Sequence, residues 1–215
     1  DELQRITGEL ALSEGSTLVD LGFGMGGPGL WIARQASARL IGVDLSSVGL
    51  GLASQRALRL EMSGSARFVK GSFADTGLPA KSADGAVSFD ALQYAPDKAA
   101  VFREAAKVIR PSGCLAFTAF EVIPEVVRSL PVLGDDPVDD YRPLLEAAGF
   151  SVTAYEETAG WRDRVAGAYG AIRDARDVLT SEMGPAAAMA LLSEVSLTLD
   201  LQPYRRRIMA IARRS

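Results

Sequence analysis

Asp20 closes a short apolar run and is followed at once by Leu21-Gly22-Phe23-Gly24-Met25-Gly26-Gly27-Pro28-Gly29. Glycines between a strand and a helix permit positive φ and let a ligand lie against bare backbone. The start of the following helix offers unpaired N–H groups. Read literally, Gly22-x-Gly24-x-x-Gly27 satisfies the dinucleotide fingerprint, so the glycines alone leave the ligand class open. Asp20 discriminates better, because a carboxylate there repels a pyrophosphate and holds an ammonium group. Asp44 ends the next apolar run, where a carboxylate can accept both hydroxyls of a ribose.

These residues need a scaffold that brings two strand ends together. The chain has 215 residues, 48% of them apolar and 23% charged, with a net charge of −4. That is enough for one domain with a single core, and too apolar for a disordered chain. Short apolar runs at 17–21, 39–44, 67–70, 85–89, 114–120, 151–156 and 207–212 predict strands. Helical spacing predicts helices over 3–10, 30–35, 46–62, 97–109 and 141–148, and over 161–199 with a break near Gly184-Pro185. Such alternation, with near-continuous apolar strands, predicts an α/β fold: a mostly parallel sheet covered by helices on both faces. The Pro/Gly/Asp-rich connection at 121–140 is longer than an ordinary loop and is expected to act as a lid or substrate loop.

Histidine is absent, which removes the commonest general base near neutral pH and the commonest metal ligand. No metal site is expected. The single cysteine, Cys114, cannot form an internal disulfide and points to a reducing, cytoplasmic setting. No apolar run approaches the roughly 18 residues that cross a bilayer, so no membrane association is expected. The acidic balance argues against a nucleic-acid partner. Arg205-Arg206-Arg207 and Arg213-Arg214 read as solvated charges flanking an edge strand.

The segments VDLGFGMGGPG, IGVDLS, GSFADTGLP, ADGAVSFDALQYAPD and REAAKVIRPSG occur in that order between residues 14 and 120. As a set they resemble the class I S-adenosylmethionine-dependent methyltransferases, in particular the bacterial small-molecule enzymes of secondary-metabolism, sarcosine and menaquinone-biosynthesis type. DYRPLLEAAGF extends the likeness more weakly toward the last strand. The resemblance implies a Rossmann-like sheet of seven strands with the last antiparallel, and one domain over 1–215. Residues 1–120 would form its cofactor half and 121–215 its substrate half. It further implies that Asp20 and the turn at Gly22, Gly24 and Gly26 hold the methionine part of S-adenosylmethionine. Asp44 would take the ribose, and Leu45 would pack on adenine. Ser72 and Phe73 would lie beside the adenine amino group, and the backbone of Phe89-Asp90 would face the ammonium end. Phe23 and Met25 stand where relatives have small or polar residues, and Ser72 where they have Asp. The first departure is expected to crowd the methionine pocket.

Methyl transfer from a sulfonium is an in-line displacement, and orientation alone can contribute ~7–11 kcal/mol in favourable systems. Many relatives place histidine just after the fourth strand, where this chain has Gln93 and Tyr94. Three readings stand. An acceptor that ionises easily needs only alignment; Asp90 or Glu121 acts as base with a raised pKa; or the fold catalyses a cyclisation or rearrangement without methyl transfer. An NAD-dependent oxidoreductase is a further alternative, on the glycine spacing. The expected partner is a small, partly apolar molecule, with oxygen preferred over carbon or nitrogen as acceptor. Tyr141, Tyr155, Trp161 and Tyr169 are candidate cavity aromatics. Monomer and homodimer are both open.

Overall fold

A computed structural model describes residues 2–122 and 136–215. Strand β1 (Thr17–Leu21), helix α2 (Gly27–Gln35), β2 (Arg39–Asp44), α3 (Ser47–Arg59), β3 (Ala66–Lys70) and β4 (Ala83–Phe89) follow the opening helix α1 (Glu2–Leu10). Then come α4 (Lys98–Val108), β5 (Ile109–Val122), α5 (Arg142–Ala147) and β6 (Phe150–Glu157). Three helices, α6 (Trp161–Asp174), α7 (Arg176–Met183) and α8 (Pro185–Asp200), lead to β7 (Arg205–Arg214).

The seven strands form one sheet in the order β3-β2-β1-β4-β5-β7-β6. Six run parallel and one antiparallel. Thr153 donates to the carbonyl of Ile211, whereas the later Thr158 donates to that of the earlier Arg207. Such opposite running directions make β7 the antiparallel strand. Side chains alternate across the sheet as the pleat requires. Val19, Ile41, Phe117 and Ile208 enter one buried cluster, while their neighbours Leu18, Leu40, Ala116 and Met209 enter the other. Burial on both faces is why the parallel strands read as continuous apolar runs. Phe102, Phe117 and Tyr141 meet edge-on or tilted at 5.6–6.1 Å between centroids and fill the first cluster.

The chain divides into two compact units, residues 1–156 with 208–215 and residues 157–207. The second consists of α6, α7 and α8; within it Glu157 accepts from Trp161 Nε1 at 2.8 Å, and Arg205 donates to the carbonyl of Thr198 at 2.7 Å. The predicted helix over 161–199 is broken twice, at Ala175 and at Gly184. β5 begins five residues before the predicted 114 and accommodates Pro111-Ser112-Gly113 as an irregularity in its pairing with β4, with Ser112 at φ 66°. A Cβ on Gly113 would sit 2.5 Å from Ile109 and 2.7 Å from the carbonyl of Asp84. Residues 123–135 of the predicted lid connection lie outside the described residues. Among the described residues no helix is long and apolar enough to cross a membrane.

The β3–β4 connection carries no helix and is held by a buried acid instead. Glu104 of α4 accepts from the backbone N–H of Thr76 at 3.0 Å, from its hydroxyl at 2.6 Å and from Lys107 at 2.9 Å. Burial alone would raise this carboxyl's pKa; Lys107 and Thr76 outweigh it and hold it below the usual value. Glu104→Ala leaves two Thr76 donors unpaired in the interior and is expected to cost about 2 kcal/mol in urea denaturation. A loss near zero would mean that this connection is held elsewhere.

Candidate functional site

The strand order reverses between β1 and β4, and in open α/β sheets the crevice at that reversal, outside the carboxyl ends, receives ligands. The glycine turn sits there. Gly22 and Phe23 both donate to the carbonyl of Val43 at 3.0 and 3.1 Å, which folds the turn over the end of β2. Gly22 has φ 76°, and a Cβ there would lie 2.5 Å from Ala91 and 2.7 Å from the ring of Phe73. No other residue type fits. Gly26, at φ 79°, is the residue before α2.

Asp44 braces the turn from the other side. One of its carboxylate oxygens accepts from Gly24 N–H at 2.7 Å, the other from Ser46 N–H at 2.8 Å. Ser46 in turn caps α3 by accepting from Gly49 N–H at 3.1 Å. Each carboxylate oxygen has a second lone pair, so this brace leaves Asp44 able to accept hydroxyls.

Asp20 is buried, 3% exposed, and accepts from Gly29 N–H inside the first turn of α2. A Cβ at Gly29 would lie 2.2 Å from its carboxylate. The acid therefore docks the first turn of α2 onto β1 through this hydrogen bond. Burial, and then the nearby charge of Asp44, push its pKa up to about 8, against the opposing pull of Gly29 N–H. A cation brought to this pair of acids relieves both causes.

Phe23 does not crowd the turn. It is buried, its ring 5.1 Å from that of Phe68. It lies so close to two glycines that a Cβ at Gly42 would come within 2.6 Å of it, and one at Gly26 within 2.3 Å. Those glycines leave room for the ring to turn inward. Met25, Leu45 and Tyr94 do the opposite and stand 56%, 63% and 60% exposed around the same edge. Exposed large apolar side chains at a sheet's carboxyl edge are what a flat aromatic ligand can cover. The Ser72 hydroxyl accepts from Ala74 N–H at 3.1 Å within its own turn, and Phe73 is half-buried against the core.

The predicted acceptor residues gather at the ends of β4 and β5. Phe89 ends β4 and is packed against the core, and Asp90 follows it at φ 50°, an uncommon conformation that Asp tolerates. Its N–H donates to the carbonyl of Thr118 at 2.9 Å, and Gln93 Nε2 donates to its carbonyl at 2.5 Å. Glu121 is buried and accepts from the hydroxyl of Tyr155, whose oxygen accepts from Tyr141 N–H at 2.9 Å. Burial first, then Glu121, drive the Tyr155 hydroxyl far above its ordinary pKa. Tyr141 is fully buried and donates to the carbonyl of Phe120 at 3.2 Å, so two of the candidate cavity aromatics are tied to strand ends. Sequence reasoning missed Lys98. Fully buried at the start of α4, it donates to the carbonyls of Ala95 at 2.8 Å and Gln93 at 3.4 Å, closing the turn that carries Gln93 and Tyr94. Nothing in a single sequence marks a lysine that turns inward.

Residues 19–117 match the protein family described as Methyltransferase domain. Over 166 residues the chain is 28% identical to the 27-O-demethylrifamycin SV methyltransferase of Amycolatopsis mediterranei, covering 72% of this chain and 61% of that protein. It is 34% identical over 131 residues to the erythromycin 3''-O-methyltransferase of Saccharopolyspora erythraea, covering 58% of this chain and 42% of that protein. The chain thus spans roughly half the length of these curated relatives. Among solved structures it resembles the [4+2]-cyclase SpnF, with a TM-score of 0.86, 20% identity and coverage of 99% and 79%. Residues 19–117 thus carry the sequence pattern of a methyltransferase domain, on the Rossmann-like sheet that class I methyltransferases share.

Asp20 titrates near pH 8 in the folded chain and near 3.8 when exposed, so the folded state binds the proton more tightly. Its contribution is therefore full below about pH 4 and is lost as the pH rises through about 8. Thermal unfolding from pH 5 to 9 is expected to show wild type losing its advantage over Asp20→Asn as the pH climbs. Parallel curves would contradict the burial and pairing assigned to this acid.

Proposed function

We propose that this chain transfers a methyl group from S-adenosylmethionine to a small, partly apolar molecule, with a hydroxyl oxygen as the preferred acceptor. The observation that carries the proposal is the pair of acids at the reversal of strand order, Asp20 and Asp44, joined through the glycine turn. Two carboxylates there suit a ligand with a cationic end and a diol, and disfavour a pyrophosphate. That ranks a nicotinamide dinucleotide last.

The residues present fit the cofactor. Asp44 takes the ribose hydroxyls, Leu45 lies open for adenine, and Ser72 and Phe73 flank the amino edge. Asp20 with Gly22, Gly24 and Gly26 receives the methionine end, where Phe89 and Asp90 present backbone. When bound, the sulfonium supplies an activated methyl. An acceptor held there would take that methyl through its lone pair as the carbon–sulfur bond breaks, leaving S-adenosylhomocysteine, and its proton would pass to a residue of this chain. The chain's own contribution is mainly alignment and exclusion of water, worth ~7–11 kcal/mol in favourable cases. Gln93 and Tyr94 line the acceptor's approach, and Asp90 is the acid set to take the proton. Glu121, engaged by Tyr155, shapes the far wall. We assign residues 1–120 to the cofactor and 121–215 to the substrate within one working domain, in a cytoplasmic setting with no nucleic-acid partner. The relatives' names, both of O-methylating enzymes, support an oxygen acceptor.

Two measurements test this. Titration calorimetry with S-adenosylhomocysteine is expected to show Asp44→Ala binding at least about tenfold more weakly, since two hydroxyl contacts of about 1 kcal/mol or more are lost. At pH 7, repeated in buffers of different ionisation enthalpy, binding of S-adenosylmethionine should expel a proton from Asp20. No binding by folded protein defeats the proposal. A second assay follows release of S-adenosylhomocysteine with a panel of phenols and secondary alcohols that includes 27-O-demethylrifamycin SV. Conversion of a panel member without that release would favour cyclisation or rearrangement instead.

A further inference from the structure

The opposite end of the sheet also carries a cavity, of about 420 Å³, at the amino ends of β1, β2 and β3. The β3–β4 connection, which has no helix, contributes Pro79 and Ser82 to the lining. Two arginines line it as well. β3 is in parallel register with β2 so that Arg67 lies opposite Ile41, two positions beyond Arg39. Side chains two apart on a strand share a face, so Arg39 and Arg67 are diagonal neighbours on one side of the sheet.

Neither guanidinium has an ion-pair partner among the described residues. Arg39 spends one donor on the carbonyl of Gly15 at 3.0 Å. Asp84, beside Thr17 on the same rim, is already engaged: it accepts from Thr17 N–H at 2.8 Å and from Arg110. Ser82 adds a buried hydroxyl with no hydrogen-bond partner, an arrangement that calls for an explanation in a folded protein. Two arginines that are diagonal neighbours on one sheet face, with an unpaired hydroxyl in the same lining, suit an oxyanion. Guanidinium forks match phosphate oxygens in geometry as well as charge. Ile41 and Pro79 give the same cavity apolar lining, and its volume lies within the range of small-molecule sites.

We propose that this cavity is a second ligand site, separate from the carboxyl-end crevice, and that it binds a small phosphomonoester through Arg39 and Arg67. The phosphoryl group lies between the guanidiniums and supplies the acceptor that Ser82 lacks, and the organic part rests on Ile41 and Pro79. The site goes beyond the methyl-transfer reading and does not depend on it, since no residue is shared between the two.

The test is calorimetric titration of the purified chain with phenyl phosphate at low salt, with inorganic phosphate in parallel. Saturable binding is expected, tighter for phenyl phosphate, and weakening as salt is raised. Arg67→Ala and Arg39→Ala should each reduce affinity about tenfold, and Arg67→Lys less, because the lysine keeps the charge and loses the fork. Each variant's thermal unfolding midpoint is compared with wild type, so that lost binding is not lost folding; both arginines are exposed and should tolerate replacement. Absence of saturable binding by folded wild type overturns the site. So does unchanged affinity in the Arg39→Ala, Arg67→Ala double variant. Inorganic phosphate binding as tightly as phenyl phosphate overturns the phosphomonoester assignment.

Discussion

The carboxylate of Asp44 stands between two backbone N–H groups that belong to different parts of the chain, Gly24 in the turn after β1 and Ser46 at the start of α3. Much of the carboxyl edge depends on that bridge. It is charge-assisted on both sides, and it fixes the glycine turn relative to the strand next to it. Asp20 performs the matching task from below, with its carboxylate against the backbone of Gly29. The arrangement costs energy, because two acids are held within reach of each other and one is buried. A structure that keeps such a cost at a sheet's ligand-binding edge is suited to receive a positive charge there.

The ends of β4 and β5, where the proposed acceptor would lie, are built differently, from constrained backbone and buried polar contacts. Asp90 in a left-handed conformation, Gln93 on the carbonyl of Asp90, and Lys98 on two carbonyls of the same turn hold a short lip in place. Ser88 reinforces it by donating to the carbonyl of Leu21 at 2.7 Å, which ties the end of β4 to that of β1. Rigid placement of this kind is what a displacement reaction driven by alignment requires. It also fits the proposed reaction in a chain without histidine, where positioning would carry much of what a strong base does elsewhere.

The sheet was largely legible in the sequence because burial on both faces writes parallel strands as unbroken apolar runs. β1 and β2 fall on the predicted residues, and the others differ by a few positions at their ends. The largest difference, at β5, arises because Pro111-Ser112-Gly113 reads as a terminator, yet pairing with β4 resumes beyond it. The acids and glycines of the turn stand out in the sequence by their order, and the structure brings them together at the reversal of strand order. Phe23 was misjudged as an obstacle. Its inward path exists only because Gly42, on another strand, leaves space for the ring, and that complementarity is not local in sequence. Lys98 and the Glu121–Tyr155 pair were hidden likewise, because they are made by packing between distant segments.

The most direct test of the account is a crystal structure of the chain soaked with S-adenosylhomocysteine. The ribose hydroxyls are expected on the Asp44 carboxylate, adenine against Leu45, and the amino group over the Gly22–Gly26 turn on the side of Asp20. A nucleoside found elsewhere on the sheet, or bound with Asp44 out of hydrogen-bond reach, would contradict it.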